Sequence, residues 1–173
     1  MMKREVFKVE GGKIRSQESA GSPVGTSIAV EELFFNTPAR LKFQKSKTTE
    51  LSHIVDIVSK FILSNPQISF NLKSDGGDVL SSVGSGNLLD AVASVYGADM
   101  AKTMIKVGDQ RSEIGDPAIP DTVIGTSARG ASVKIHGYTT QPVITKSDRY
   151  GESFFVNGRF VRNGLLSRAL EDA

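Results

Sequence analysis

The chemistry this sequence concentrates is cationic. Arg40, Lys42, Lys45 and Lys47 fall within eight residues with no acid among them, and Arg159, Arg162 and Arg168 gather around Asn157 and Gly158 near the far end. Ammonium and guanidinium groups clustered in this way set up a local field that attracts phosphate. A solvated helix end explains the first group as readily, because four charges are few, and a plain hairpin with solvated arginines explains the second. The charge is unevenly spread. Lys and Arg number 10 against 7 acids over residues 1–60, 4 against 8 over 61–128, and 7 against 4 over 129–173. Both ends are therefore basic and the middle acidic, beneath a net charge of +2.

Other chemistries lack their residues. With no Cys there is no disulfide framework, thiolate zinc site or Cys nucleophile. The two His, His53 and His136, have no i, i+4 partner and read as unrelated structural residues. No G-x-x-x-x-G-K-S/T phosphate loop occurs, and the glycines do not build a dinucleotide fingerprint between a strand and a helix. Asp75 and Asp78 flank Gly76 and Gly77, which a turn explains better than a paired acid and base. No complete active site is legible.

The elements that must position these residues follow from pattern. A chain of 173 residues, 39% hydrophobic and 23% charged, has the composition of a globular protein with one domain or two small ones. No run approaches the roughly 18 apolar residues of a membrane span, and Met1-Met2-Lys3-Arg4-Glu5-Val6 lacks the apolar core of a signal peptide. A cytosolic setting is compatible with both absences.

Two compact units are expected. Val6 to Val9 alternates, Gly11-Gly12 offers a tight turn, and residues 13–17 can return as the partner strand. Residues 26–30 read as a short strand with Ile28 and Val30 on one face. Pro38 suits the start of a one- or two-turn helix through residue 44. A long helix over 49–63 is capped by Thr48 or Thr49 and buries Leu51, Ile54, Val55, Val58, Phe61 and Ile62. Ile68, Phe70 and Leu72 alternate as a strand, Asp75-Gly76-Gly77-Asp78 turns, and Val79, Leu80 and Val83 return, closing the first unit.

Val83-Gly84-Ser85-Gly86 reads as a linker or boundary. Asn87 then caps a helix that Gly97 stops, residues 103–107 form a strand, 108–130 are mostly loop, and 132–138 form another strand. The apolar run at 154–156 meets Asn157-Gly158, the strongest hairpin signal in the chain, and Asn163 caps a last helix through Leu165, Leu166, Ala169 and Leu170. This alternation of strands and helices argues for α+β or mixed α/β layers.

Two segments then carry a resemblance. Residues 25–42, with the core Leu33-Phe34-Phe35-Asn36-Thr37-Pro38-Ala39-Arg40, look like the last motif of the ATPase domain of the MutL family of DNA mismatch-repair proteins. Gly137-Tyr138 with Lys146 and Arg149, followed by Phe154-Phe155-Val156-Asn157-Gly158-Arg159-Phe160-Val161-Arg162-Asn163, is similar to the family's second, transducer domain. The long helix at 49–63 and the strand ending in Leu72 fall in the family's order, and residues 78–129 are the least distinctive.

The resemblance implies an α+β fold in two parts. Residues 1–82 would be the C-terminal portion of a GHKL ATPase α/β sandwich, the type shared by gyrase, a heat-shock chaperone, histidine kinases and MutL. Residues 83–173 would be the N-terminal portion of a βαβ transducer domain like the second domain of gyrase B. The family's general-base glutamate, metal-binding asparagine, Asp-x-Gly-x-Gly adenine site and glycine-rich lid would precede residue 1, and its phosphate-reaching transducer lysine would follow Ala173. No cofactor is therefore expected in this chain, with ATP and Mg belonging to the intact parent, and no ATP turnover is expected from the chain alone.

Of the nucleotide site only Gly25 and Thr26 carry over, through close backbone approach and a water-bridging hydroxyl, and a turn entering a strand explains them as well. Asn36, Pro38 and Arg40 would hold local structure, with Asn36 accepting backbone N–H bonds at the helix start and Arg40 pairing with an acid or facing phosphate. Asn157 and Gly158 would make the hairpin turn. Arg159, Arg162 and Arg168 would grip DNA backbone phosphates without reading bases. The implied partners are DNA, a MutS-like mismatch-recognition protein, downstream repair enzymes and a second copy of the full-length protein, with no membrane. The implied location is cytoplasmic and, in a bacterium, nucleoid-associated. A stand-alone nucleic-acid or ribosome-associated module and a pure protein-interaction fragment remain as alternatives.

Overall fold

A computed structural model of the chain describes residues 5–21, 23–108, 135–141, 144 and 151–172. Five helices and eight strands occur among the described residues, the strands as four two-stranded antiparallel sheets. The fold is α+β. Two compact units result, Met1–Glu50 and Leu51–Ala173, dividing between residues 50 and 51 and not at the 83–86 stretch that reads as a boundary.

The first unit opens with the expected hairpin. Strand β1 (Glu5–Glu10) pairs with β2 (Lys13–Ser19), and Gly11 and Gly12 turn at φ 56° and 80°. Residues 26–30 do not form the expected strand. Ile28 and Val30 are 82% and 73% exposed there, and no neighbouring strand among the described residues offers the ladder that would hold them extended. Backbone turns follow, in which the Phe35 N–H donates to the Glu32 carbonyl at 3.0 Å and the Thr37 N–H to the Phe34 carbonyl at 2.9 Å. They lead into α1 (Pro38–Lys42), with Pro38 in its first turn as its fixed φ favours. No described residue before Leu51 is buried.

Helix α2 (Lys47–Ser64) starts earlier than its pattern indicates. Its cap is Ser46 rather than Thr48 or Thr49: the Ser46 hydroxyl accepts from the Thr49 N–H at 3.3 Å, and the Glu50 carboxylate reaches back to the Lys45 N–H at 3.0 Å. Only one stripe of the helix turns inward. Leu51, Val55 and Val58 are partly buried and Ile62 and Leu63 fully so, whereas Ile54, Ile57 and Phe61 are exposed. The inward assignment of Ile54 and Phe61 is thus corrected. The apolar residues of α2 wrap beyond a single face, and the packing covers the 51, 55, 58, 62 line.

Around Ile62 and Leu63 the second unit builds its core from Ala91, Val92 and Ala101, with Phe70, Leu80, Leu88, Met104 and Phe155 packed against it. Full burial of a side chain such as Ile62 stabilises by about 1.5–3 kcal/mol. Strands β3 (Phe70–Ser74) and β4 (Gly77–Ser82) pair across Asp75 and Gly76, both at positive φ, and Ile68 lies ahead of the strand. The stretch read as a linker is pinned. The Gly86 N–H donates to the Pro66 carbonyl at 2.9 Å, the Ser85 hydroxyl donates to Asp90 at 2.6 Å, and Gly84, at φ 70°, lies so close to the next chain segment that a Cβ would sit 2.5 Å from the Ser69 nitrogen.

Helix α3 (Leu88–Tyr96) begins at Asn87, whose side chain accepts from the Leu89 N–H at 2.9 Å, and ends at Gly97. A further short helix, α4 (Ala98–Lys102), follows at once, an element the sequence pattern did not indicate because Gly97 reads only as a stop. Strand β5 (Met104–Gly108) pairs with β6 (His136–Thr140). Most of the expected 108–130 loop and the start of the 132–138 strand lie outside the described residues. Strands β7 (Phe154–Val156) and β8 (Arg159–Val161) form the expected hairpin, with Asn157 and Gly158 at φ 51° and 76°. Asn163 caps α5 (Gly164–Glu171) by accepting from the Leu165 N–H at 2.8 Å, and Ser167 is its one buried residue.

Gly84→Ala is expected to destabilise the protein by about 1–3 kcal/mol, because the added methyl collides with backbone at a positive φ. Gly86→Ala, also at positive φ but with nothing within 4 Å of its Cβ position, is expected to lower the thermal midpoint less. Loss of the α5 cap in Asn163→Ala should cost about 1 kcal/mol by the same measurement.

Candidate nucleic-acid interface

The β7–β8 hairpin is positioned by two aromatic rings. Phe155 and Phe160 stand opposite each other in the register and meet edge-to-face with centroids 5.8 Å apart, and Phe155 packs onto the core cluster. A side chain from α2 completes the contact. The Lys60 ammonium lies 4.5 Å from the Phe160 ring centroid and is ion-paired with Asp56 one turn earlier. On the same ring the Arg162 guanidinium carbon lies 5.9 Å from the centroid.

The three arginines singled out from the sequence are all exposed, at three different places. Arg159 opens β8 opposite Val156, and strand alternation sets it on the face away from Phe160. Arg162 follows β8 and shares the Phe160 ring. Arg168, on α5, pairs with Asp172 at 3.6 Å, and with exposures of 78% and 70% that ion pair adds little to stability. Lys60 and Phe160 were not legible as parts of this surface, since nothing in α2 announces a partner so far along the chain. Phe160, set between Arg159 and Arg162, was the available hint.

The earlier cationic group is arranged differently. Arg40 and Lys42 occupy the last turn of α1 and are exposed, and Arg40 forms no ion pair among the described residues. The N-cap of α1 is Thr37, without a side-chain cap bond. Asn36 is not its cap: the turn is closed by backbone bonds, and the Asn36 amide nitrogen instead lies 4.0 Å from where a Cβ of Gly11 would be. Gly25 adopts φ 133° with open space around it, and Thr26 is exposed in an irregular segment. Lys146 and Arg149 lie outside the described residues.

Little else invites a ligand. Among the described residues no group of three His, Asp or Glu could hold a metal ion, and no helix is long and apolar enough to cross a membrane. His53 and His136 are exposed on separate elements. The hollow beside Ile62, Pro66 and Gly84 has no room for a water, and a larger one of about 410 Å³ along Asp78, Leu80 and Ser94 is a shallow depression open to solvent. What the geometry offers is an exposed hairpin on a packed base, with Arg159 at the start of its second strand and Arg162 just after it.

Residues 92–173 match the family model described as DNA mismatch repair protein, C-terminal domain. Over 163 residues the chain is 39% identical to the DNA mismatch repair protein MutL of Streptococcus sanguinis, covering 94% of this chain and 22% of that protein. It is 41% identical over 162 residues to proteins of Streptococcus pneumoniae named DNA mismatch repair protein MutL and DNA mismatch repair protein HexB, with the same coverages. The chain thus spans about a fifth of the length of these curated relatives. Among solved structures, the Aquifex aeolicus MutL ATPase domain complexed with ADP superposes with a TM-score of 0.69 at 24% identity, covering 96% of this chain and 56% of that one. The α+β arrangement is accordingly similar to the fold of that Aquifex aeolicus domain. Sequence and fold agree, and the chain belongs to the MutL family of DNA mismatch-repair proteins.

Proposed function

We propose that this chain is the part of a MutL-like protein that links a nucleotide-controlled domain to DNA, and that it holds duplex DNA by its backbone through Arg159, Arg162 and Arg168. The observation that carries this reading is that all three arginines are exposed, two of them on or next to the second strand of a hairpin that Phe155 anchors on the core. Phosphate contacts of this kind are insensitive to sequence and strongly dependent on salt. The mismatch-repair C-terminal-domain model covers all three arginines, which supports assigning residues 83–173 to the transducer side and 1–82 to the tail of the ATPase domain.

In the parent protein, ATP and Mg would drive dimerisation, and the DNA-holding surface would respond to that state and to a MutS-like protein and downstream repair enzymes. Gly25 and Thr26 would be the remnant of the nucleotide site. The place of action would be the cytoplasm, on chromosomal DNA. The similarity to mismatch-repair proteins favours this over a free ribosome-associated module.

Affinity for a short duplex measured across a salt series tests the reading. Log affinity should fall linearly with log salt, and Arg159→Glu with Arg162→Glu should flatten that slope by about 1.8, two phosphate contacts at about 0.9 each. Absence of duplex binding by the unaltered chain at low salt would overturn it. The chain by itself should turn over no ATP above background in a phosphate-release assay, and turnover that survives further purification would contradict the assignment of Gly25 and Thr26 as an incomplete remnant.

A further inference from the structure

Phe160 carries two cations of unequal engagement. Lys60 lies well inside the range of a cation–π contact, at 4.5 Å, and its side chain is only 18% exposed, whereas Arg162 stands at the edge of that range, at 5.9 Å, and is exposed. Both positive groups approach the same ring, and Asp56 offsets the charge of Lys60. Lys60 is thereby held on both sides, by a carboxylate on its own helix and by an aromatic face on the hairpin, while Arg162 stays free to turn toward another anion.

We propose that Lys60 is a positioning residue: it fastens the β7–β8 hairpin to α2 through Phe160 and leaves Arg162 as the releasable cation that meets DNA phosphate. The part concerning DNA rests on the function proposed above, and the fastening does not. Lys60 belongs to the helix that runs out of the first unit's sequence, and Phe160 belongs to the hairpin, so this contact joins segments that local sequence does not bring together. Phe155 reinforces it from below, through its edge contact with Phe160 and its packing on the core.

Three forms of the 173-residue chain separate the roles: unaltered, Lys60→Met, which keeps the aliphatic stem without charge, and Lys60→Arg, which restores a cation for the ring. Amide hydrogen exchange in the hairpin should quicken by about three- to ten-fold in Lys60→Met and return toward the original rate in Lys60→Arg. Unchanged exchange in Lys60→Met would overturn the fastening. In the duplex salt series, Lys60→Met should weaken binding a few-fold with the slope retained, because no phosphate contact is lost. A slope reduced by about 0.9 would make Lys60 a phosphate contact and overturn its positioning role. If the unaltered chain binds no duplex while the exchange results are as expected, the DNA reading fails and the fastening stands.

Discussion

Burial of Ile62 and Leu63 with Ala91, Val92 and Ala101 is the interaction on which the described structure depends. It joins the end of α2 to α3 and α4, and the β3–β4 hairpin closes over it through Phe70 and Leu80. The tightness of the turn at Gly84 follows from this packing, since the chain must pass from β4 to α3 against the backbone of Ser69. A domain this small has little apolar burial to spare. The five buried apolar residues of this cluster therefore set the stability of everything attached to them.

The proposed DNA surface is one of those attachments. An isolated two-stranded hairpin is marginal in water, and the β7–β8 strands are three residues each. Phe155 gives that hairpin a place on the core, Phe160 couples to Phe155, and the cations sit around Phe160. Rigid placement of a cation reduces the entropy lost when it meets a phosphate, so the aromatic base bears on affinity as well as on stability. The first unit has no comparable foundation. It exposes Phe7, Val9, Leu33 and Phe43, and none of its described residues is buried.

Local signals in the sequence located much of this. Asn87 and Asn163 read as caps and are caps, Asn157-Gly158 reads as a turn and is one, the turn read over Asp75-Gly76-Gly77-Asp78 narrows to Asp75 and Gly76 because Gly77 and Asp78 open β4, and α2 was visible from its period. Each of these depends on residues near one another in the chain. Failures occurred where distant partners decide. Residues 26–30 have strand-forming side chains but no strand beside them among the described residues, Ile54 and Phe61 match the helical period but lie off the packed line, and Lys60 finds its ring in a hairpin at the other end of the sequence. The motif resemblance supplied the family, which composition and periodicity alone did not reach.

Residue-resolved amide hydrogen exchange of the intact chain tests most directly whether one small core supports the whole. The account predicts the slowest exchange in the second half of α2 and in α3, around Ile62, Leu63, Ala91 and Val92, with β7–β8 intermediate and residues 5–50 opening far more readily. Protection of the β1–β2 hairpin equal to that of Ile62 and Ala91 would contradict it, because the first unit would then have a stability that its exposed apolar residues do not provide.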